Sequence, residues 1–465
     1  MSRGRTPFWI ALVAVPMAFM AGAPSPAAAQ DWITFVDETA TRLVSDTAVG
    51  ATDSEERDFA IGDFDRDCDT DLVVVRKTPF TNPGARRGVL FMNEDGVLTD
   101  RSATLAPALL QVSDDRDVQV GDLDNNGWLD IVTAGTFGAT PRVLMNLGRD
   151  LDGAWLGFEY TAARLPSFPI APNFCSVAVG DVTGDGFADL YFVNYVINSP
   201  GEIQLEDRLL INDRKEPTTT FVDETVTRLT PEMVDSTFGT SALIADWNVD
   251  GVNEILKVNS SGPHASTPNV SIFYQTEAAE GFFNFRHQIY DVAPYMAATA
   301  DFTKDGRLDL VIVDDAQDRY LVNTGNDIDG RAQFSTQSVV SGGTTGFGGS
   351  ARFTDMDGDD LPDALISDVD VDIPGFDRRL TILRAVGTPP NVILGDPINA
   401  SRPWRRNGTF DAVAMHVDKD RIVDLVVGAF DGTKVYRGTT PSLSDLLLVD
   451  GFELENTGCW SSVAP

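Results

Sequence analysis

Three cysteines and three histidines are all that 465 residues supply of the two commonest soft metal ligands. Cys68, Cys175 and Cys459 are too few for the multi-bridge framework of a small secreted scaffold, and an odd number leaves at least one thiol without an intramolecular partner. His264, His287 and His416 stand in no recognisable catalytic pattern. The chain has no G-x-S-x-G elbow, H-E-x-x-H helix, P-loop or dinucleotide fingerprint. Basic residues are scarce as well, with 35 Lys and Arg against 70 Asp and Glu and a formal charge of −35. Phosphate binding needs a basic surface, so this balance argues against nucleic acid as a partner. Long apolar runs are missing everywhere except at the start. There, Arg3 and Arg5 precede an apolar run from Phe8 to Ala21, and Ala27-Ala28-Ala29 supplies small residues before Gln30. The run is shorter than the ~20 apolar residues that span a bilayer. Residues 1–29 therefore read as a cleaved secretory signal, giving an exported mature chain, secreted or at the cell surface, with no membrane span.

What the chain does have is one segment type, seven times over. The copies are DFDRDCDTDLVVV from Asp63, DLDNNGWLDIVTA from Asp122, DVTGDGFADLYFV from Asp181, DWNVDGVNEILKV from Asp246, DFTKDGRLDLVIV from Asp301, DMDGDDLPDALIS from Asp355 and HVDKDRIVDLVVG from His416. The starts are 59, 59, 65, 55, 54 and 61 residues apart, so a single supersecondary unit has been copied along the chain. Each unit reads as β structure. A short alternating run such as Ser176 to Gly180 leads into the acidic loop, an apolar run such as Leu190 to Asn194 follows, and two more strand-like runs close the unit. Four short strands per repeat with no amphipathic helix between them predict an all-β, seven-bladed β-propeller over residues 30–440. The open solenoid is the competing arrangement, but its repeats are generally shorter and its ends need caps.

Within each loop, side-chain oxygens recur at positions 1, 3, 5 and 9, often with glycine at position 6. Calcium takes 6 to 8 oxygens at about 2.3 to 2.6 Å, so a tight loop presenting several carboxylates or amides inward is a cation cage. The first loop offers Asp63, Asp65, Asp67, Asp69 and Asp71; the second Asp122, Asp124, Asn126 and Asp130; the third Asp181, Thr183, Asp185 and Asp189. The fourth offers Asp246, Asn248, Asp250 and Glu254; the fifth Asp301, Thr303, Asp305 and Asp309; the sixth Asp355, Asp357, Asp359 and Asp363. A single D-x-D-G loop is an ordinary polar turn. Six near-complete copies in register, all oxygen and with no His or Cys, predict about six Ca²⁺ sites on one face of the propeller. The seventh loop has His416 at position 1 and Arg421 at position 6, and is expected to be weak or empty.

These loops resemble the FG-GAP or VCBS repeat family, the propeller repeats of integrin alpha-subunit heads and of many exported bacterial proteins. The likeness extends to Phe347-Gly-Gly-Ser-Ala351, to Asp424-Leu-Val-Val-Gly-Ala429, and to Phe35-Val-Asp-Glu-Thr39 with its echo at Phe221 to Thr225. It implies a seven-bladed propeller with calcium in loops on one face, and much less about activity, since the same fold carries adhesins, lectins and some polysaccharide lyases. Because the patterned acids are already explained by metal, the chain reads as a binding, adhesion or scaffold module for an extracellular protein or glycan. The alternative is a carboxylate-based lyase or glycosidase. Two segments mixing cations and aromatics, Arg76 to Phe80 with Arg86 and Arg87, and Arg402 to Arg406, are candidate ligand contacts. Residues 441–465 read as a C-terminal tail with a possible sorting role. The seventh repeat lacks an outer strand, and the Phe35–Thr39 run has no blade of its own. The two ends are therefore expected to pair and close the ring, unless Ser442 to Val449 serves instead.

Overall fold

The computed structural model describes residues 32–45, 56–77, 86–168, 172–195, 206–215, 218–234, 238–260, 268–275, 280–292, 294–314, 317–338, 348–368, 380–395, 409–420, 422–429 and 432–439. The proposed signal, the tail, Arg402 to Arg406 and Arg421 lie outside them. Seven sheets account for the described strands, one per repeat, antiparallel except for one two-residue strand added to the edge of the first. In the second blade, for example, Asp115–Gly121 pairs with Asp130–Gly135, which pairs with Arg142–Asn146, which pairs with Phe158–Tyr160. The innermost strands of successive blades adjoin one another all the way round, the last meeting the first, so the sheets form a closed ring.

The apolar run after each loop is the second strand of its blade, and it is buried on both faces: Asp71–Lys77, Asp130–Gly135, Asp189–Asn194 and Asp424–Ala429 are buried at every residue. A sheet stacked between two neighbours has no solvent face, which is why these runs are continuous where a surface strand would alternate. The core is accordingly divided into slabs between blades. One slab, between the first and last blades, holds Phe59, Leu72, Val74 and Phe91 against Val413, Met415, Val426 and Val435. Arg76 and Lys77 belong to this strand interior, at 4% and 0% exposure, so they are not part of an exposed ligand-binding connection.

The N-terminal run completes the seventh blade. Phe35–Asp37 lies antiparallel on Gly432–Gly438, with Phe35 opposite Gly438, Val36 opposite Arg437 and Asp37 opposite Tyr436. One helical turn, Thr39–Arg42, then carries the chain across the seam, where Leu43–Val44 pairs in parallel with Leu98 and Thr99 on the outer edge of the first blade. Such single-turn helices were not legible as amphipathic stretches. They recur after the outer strands at Ser102–Leu105 and Thr225–Arg228, where Asp100 and Asp223 accept the N–H of Ser102 (3.0 Å) and Thr225 (3.1 Å). Cys175 is a buried, reduced thiol that accepts a hydrogen bond from Arg116 Nε at 2.8 Å, whereas Cys68 is disulfide-bonded, so these two are not joined.

Candidate metal centres

Every acidic loop joins the first strand of a blade to the second, so all lie at the same end of their sheets. Position 2 anchors each one: Phe64, Leu123, Val182, Trp247 and Phe302 are fully buried, and Met356 and Val417 nearly so. In the first six loops positions 4 and 6 both take positive φ. At position 6 these are Cys68 (72°), Gly127 (82°), Gly186 (88°), Gly251 (88°), Gly306 (82°) and Asp360 (69°). At position 4 they are Arg66 (58°), Asn125 (57°), Gly184 (75°), Val249 (58°), Lys304 (54°) and Gly358 (74°). Glycine marks four of the six in the first set, but in the second only Gly184 and Gly358 carry that mark. The two left-handed residues curl the backbone so that successive N–H groups face the position-1 carboxylate. Asp122 accepts from Asn126 (3.1 Å) and Gly127 (2.7 Å), and Asp246 accepts from Asp250 (3.1 Å) and Gly251 (2.8 Å). Asp63, Asp181, Asp301 and Asp355 do the same in their own loops. The position-5 side chain accepts from the N–H of position 7 in all seven loops, as in Asn126 with Trp128 at 2.7 Å.

The position-9 acid faces inward and fastens the loop to its blade. Asp130 accepts from Leu123 N (2.9 Å) through one oxygen and from Asn146 N (2.7 Å), on the third strand, through the other. Asp71, Asp189, Asp363 and Asp424 repeat this two-sided grip. A residue class missed by sequence reading adds the next link. Asn93, Asn146, Asn212 and Asn323 stand at or near the ends of third strands, and each amide donates to the position-2 carbonyl of the preceding blade's loop: Val417, Phe64, Leu123 and Trp247, at 2.7 to 3.0 Å. An Asn at the end of an apolar run, as in VLMN and LLIN, was its only signal. Asn212→Leu would leave the Leu123 and Ala188 carbonyls without their donor. We expect it to cost about 1–3 kcal/mol in denaturant unfolding, equally with and without divalent cation.

Four sets of carboxylates converge so that one oxygen from each residue lies within 4.8 Å of the others: Asp63, Asp65 and Asp71; Asp122, Asp124 and Asp130; Asp246, Asp250 and Glu254; Asp355, Asp357 and Asp359. These clusters could hold a metal ion. Among the described residues the third and fifth loops, with Thr183 and Thr303 at position 3, do not gather three carboxylates as closely. Their hydroxyls donate to Asp181 (3.3 Å) and Asp309 (3.0 Å). Asp69, grouped with the first loop from sequence, instead faces Lys419 of the last blade at 3.3 Å. In the sixth loop Arg384 pairs with Asp357 and, at 3.2 Å, with Asp359.

Crowding and burial set the protonation of these acids. Desolvation, then the neighbouring carboxylates, pushes Asp65 up to about 6. Burial is the first cause at position 9 too, raising Asp189 to about 7, Glu254 to about 8, Asp309 to about 6 and Asp363 to about 8. Asp71 and Asp130 are held well above the usual carboxylate range for the same reason. A cation in each loop would supply the opposite charge that these burials lack. An oxygen-only donor set of this kind suits a hard cation.

With this geometry in hand, a family model described as an FG-GAP-like repeat matches residues 63–133 and 301–366, spanning the first two and the fifth and sixth loops. The chain carries FG-GAP-like repeats. No curated protein sequence matches the chain. Among solved structures, an Agrocybe aegerita lectin described by its specific recognition of non-reducing terminal N-acetylglucosamine is 15% identical, with a TM-score of 0.48 over 82% of this chain and 87% of the lectin. The V. cholerae biofilm matrix protein Bap1 is 11% identical, with a TM-score of 0.42 over 89% of this chain and 92% of Bap1. BBS1N in complex with ARL6DN is 8% identical, with a TM-score of 0.49 over 88% of this chain and 98% of that one. No helix among the described residues is long and apolar enough to cross a membrane.

Proposed function

We propose that this FG-GAP propeller is an exported, calcium-stabilised binding or scaffold module whose ligand is an extracellular protein or glycan. The observation that carries the reading is the repetition of one oxygen-lined loop at one end of the blades, with four carboxylate clusters drawn within 4.8 Å. Calcium is the ion of choice because the donors are carboxylates, amides and hydroxyls, several per loop, whereas magnesium keeps its waters and takes few protein carboxylates. The loop acids are committed to structure. Position 1 and position 9 each accept two backbone N–H groups in most copies, which suits them to fixing geometry more than to shuttling protons.

A glycan-array and extracellular-protein screen of the mature chain in millimolar calcium tests this. Saturable binding without turnover, lost in EDTA, is the expected result. Release of unsaturated or reducing ends from a bound polysaccharide would replace the module reading with a lyase or glycosidase.

A further inference from the structure

The seventh loop departs from the other six where it matters most for a cation, at position 1. His416 stands there, its Nδ1 lying 3.3 Å from the Ile422 carbonyl, and the N–H of position 5, Asp420, goes instead to the position-3 carboxylate of Asp418 at 3.0 Å. The acids at positions 3 and 5 remain, and arginines meet both. Arg42, at the end of the helical turn that follows the closing strand, sets Nη2 2.6 Å from Asp418 Oδ2. Its Nη1 donates to Gly96 O in the first blade at 3.0 Å, and its Nε donates to Glu38 Oε2 at 2.5 Å. Glu38 Oε1 in turn accepts from Arg437 Nε at 2.8 Å, and Arg437 Nη1 lies 3.7 Å from Asp420. The result is an alternating run of five charges, Asp418, Arg42, Glu38, Arg437 and Asp420, that ties the loop to both strands of the closure. The Arg42 and Asp418 side chains are only 17% and 19% exposed, so solvent screens the pair less than it would at the surface.

We propose that the seventh loop is a guanidinium site, filled by Arg42 of the same chain, and that it locks the ring where the other loops take a metal ion.

The chain contains its own control. Residues 35–43 and 221–229 are the same nonapeptide apart from one position, FVDETATRL and FVDETVTRL, and both close a blade. Glu224 receives Arg228 Nε at 2.6 Å as Glu38 receives Arg42, and Arg228 likewise donates to a backbone carbonyl of the next blade, Glu280 O. The surroundings also correspond. Gly96 is flanked by Arg42, Asp418 and Val417 O, and Gly281 by Arg228, Thr183 and Val182 O. The difference is position 3 of the adjoining loop. Thr183 offers no charge, and Arg228 lies over the Phe282 ring at 4.6 Å, while Asp418 offers a carboxylate and Arg42 takes it. Position 3 therefore decides whether the arginine of this segment enters the loop. In the seventh repeat an acid at position 3 accompanies loss of the acid at position 1, which moves the loop from metal chemistry to guanidinium chemistry.

A double-mutant cycle on the mature chain tests the proposal: Arg42→Gln, Asp418→Asn and the pair together. Melting would be followed in EDTA and in millimolar calcium, and bound calcium counted by mass spectrometry of the metal. Each single change is expected to lower Tm by the same amount in both buffers, the double variant to melt no lower than the weaker single, and the calcium count to stay that of wild type. Arg42→Lys keeps the charge but not the fork, and should recover little. Loss of one bound calcium in Asp418→Asn, additive losses in the double variant, or full recovery by lysine would each overturn it. Should the wild type bind no calcium at all, the metal reading of the other loops fails, while the coupling measured in EDTA still decides this one.

Discussion

A mature chain lacking residues 30–45 melts far below the intact protein or aggregates before it melts. Residues 35–37 are the outer strand of the seventh blade, and without them Gly432–Gly438 becomes an open sheet edge whose N–H and C=O groups have lost their partners. Ile33 and Phe35, 2% and 7% exposed, leave the core, which by burial alone removes about 3–6 kcal/mol. The deletion also removes Thr34, whose hydroxyl lies 2.7 Å from that of Thr439, Thr39, whose hydroxyl accepts from Val435 N at 2.9 Å, and the parallel pairing of Leu43 on the first blade. The loss spans a seam between two blades, so it exceeds that of trimming an ordinary terminus. Equal melting temperatures for the truncated and intact mature chains, by scanning calorimetry, would refute the role of this segment in closure.

Chelation should have an effect of similar size, and its pH dependence follows from the buried acids. In the metal-free fold Asp189, Asp309, Glu254 and Asp363 are raised to about 7, 6, 8 and 8, burial being the first cause in each, while in the unfolded chain they titrate near 4. The fold therefore favours their protonated forms, and in EDTA its stability declines as pH climbs from about 4 through 8. Calcium would reverse the decline by pairing with the ionised forms, so its stabilisation should be small at pH 5 and greatest near pH 8, with protons released on binding in between. At a concentration a hundredfold above Kd a site contributes about 2.7 kcal/mol. A set of about six would then move Tm by on the order of 10 °C or more. Asp124→Ala should remove one equivalent of bound calcium and part of that shift. A Tm that is the same in excess EDTA and millimolar calcium at pH 8 would sink the metal reading.

The loops were legible because their chemistry is written in one dimension. Asp122 caps residues four and five positions on, Asn126 caps one two positions on, and Gly127 must turn left-handed, all within a single short segment. The blade strands were legible for a related reason, since a strand buried on both faces is mostly a continuous apolar run. What escaped were residues whose partners lie a whole repeat away. Asp58, Asp117 and Asp411 sit in first strands, where an acid next to an apolar residue reads as an outward-facing position of an alternating strand. They instead accept the N–H of Val118, Val177 and Phe59 in the next blade, at 2.7 to 2.9 Å, with Arg352 of the sixth blade 2.6 Å from Asp411. The third-strand asparagines were missed likewise, and Lys304 and Val249 at position 4 gave no hint of their positive φ because neither is glycine. Strand periodicity cannot show which acids face the axis of a ring, because the ring exists only once all the repeats are in place.

The pairing of Thr34 with Thr439 joins residues 405 apart in sequence. During synthesis the segment around Thr34 is therefore made long before the strand it must join, and stays without its partner until the last blade arrives. Bringing two such ends together from an open chain costs about 5 kcal/mol of loop-closure entropy, growing only with the logarithm of length. Once the intervening blades have stacked, the ends are already neighbours and most of that cost has been met by earlier contacts. Closure is thus a late event, and the interval before it is when the exposed edge of Gly432–Gly438 can accept the corresponding strand of another molecule. A high local concentration of unclosed chains would favour such exchange, and dilution would favour rings closed on themselves.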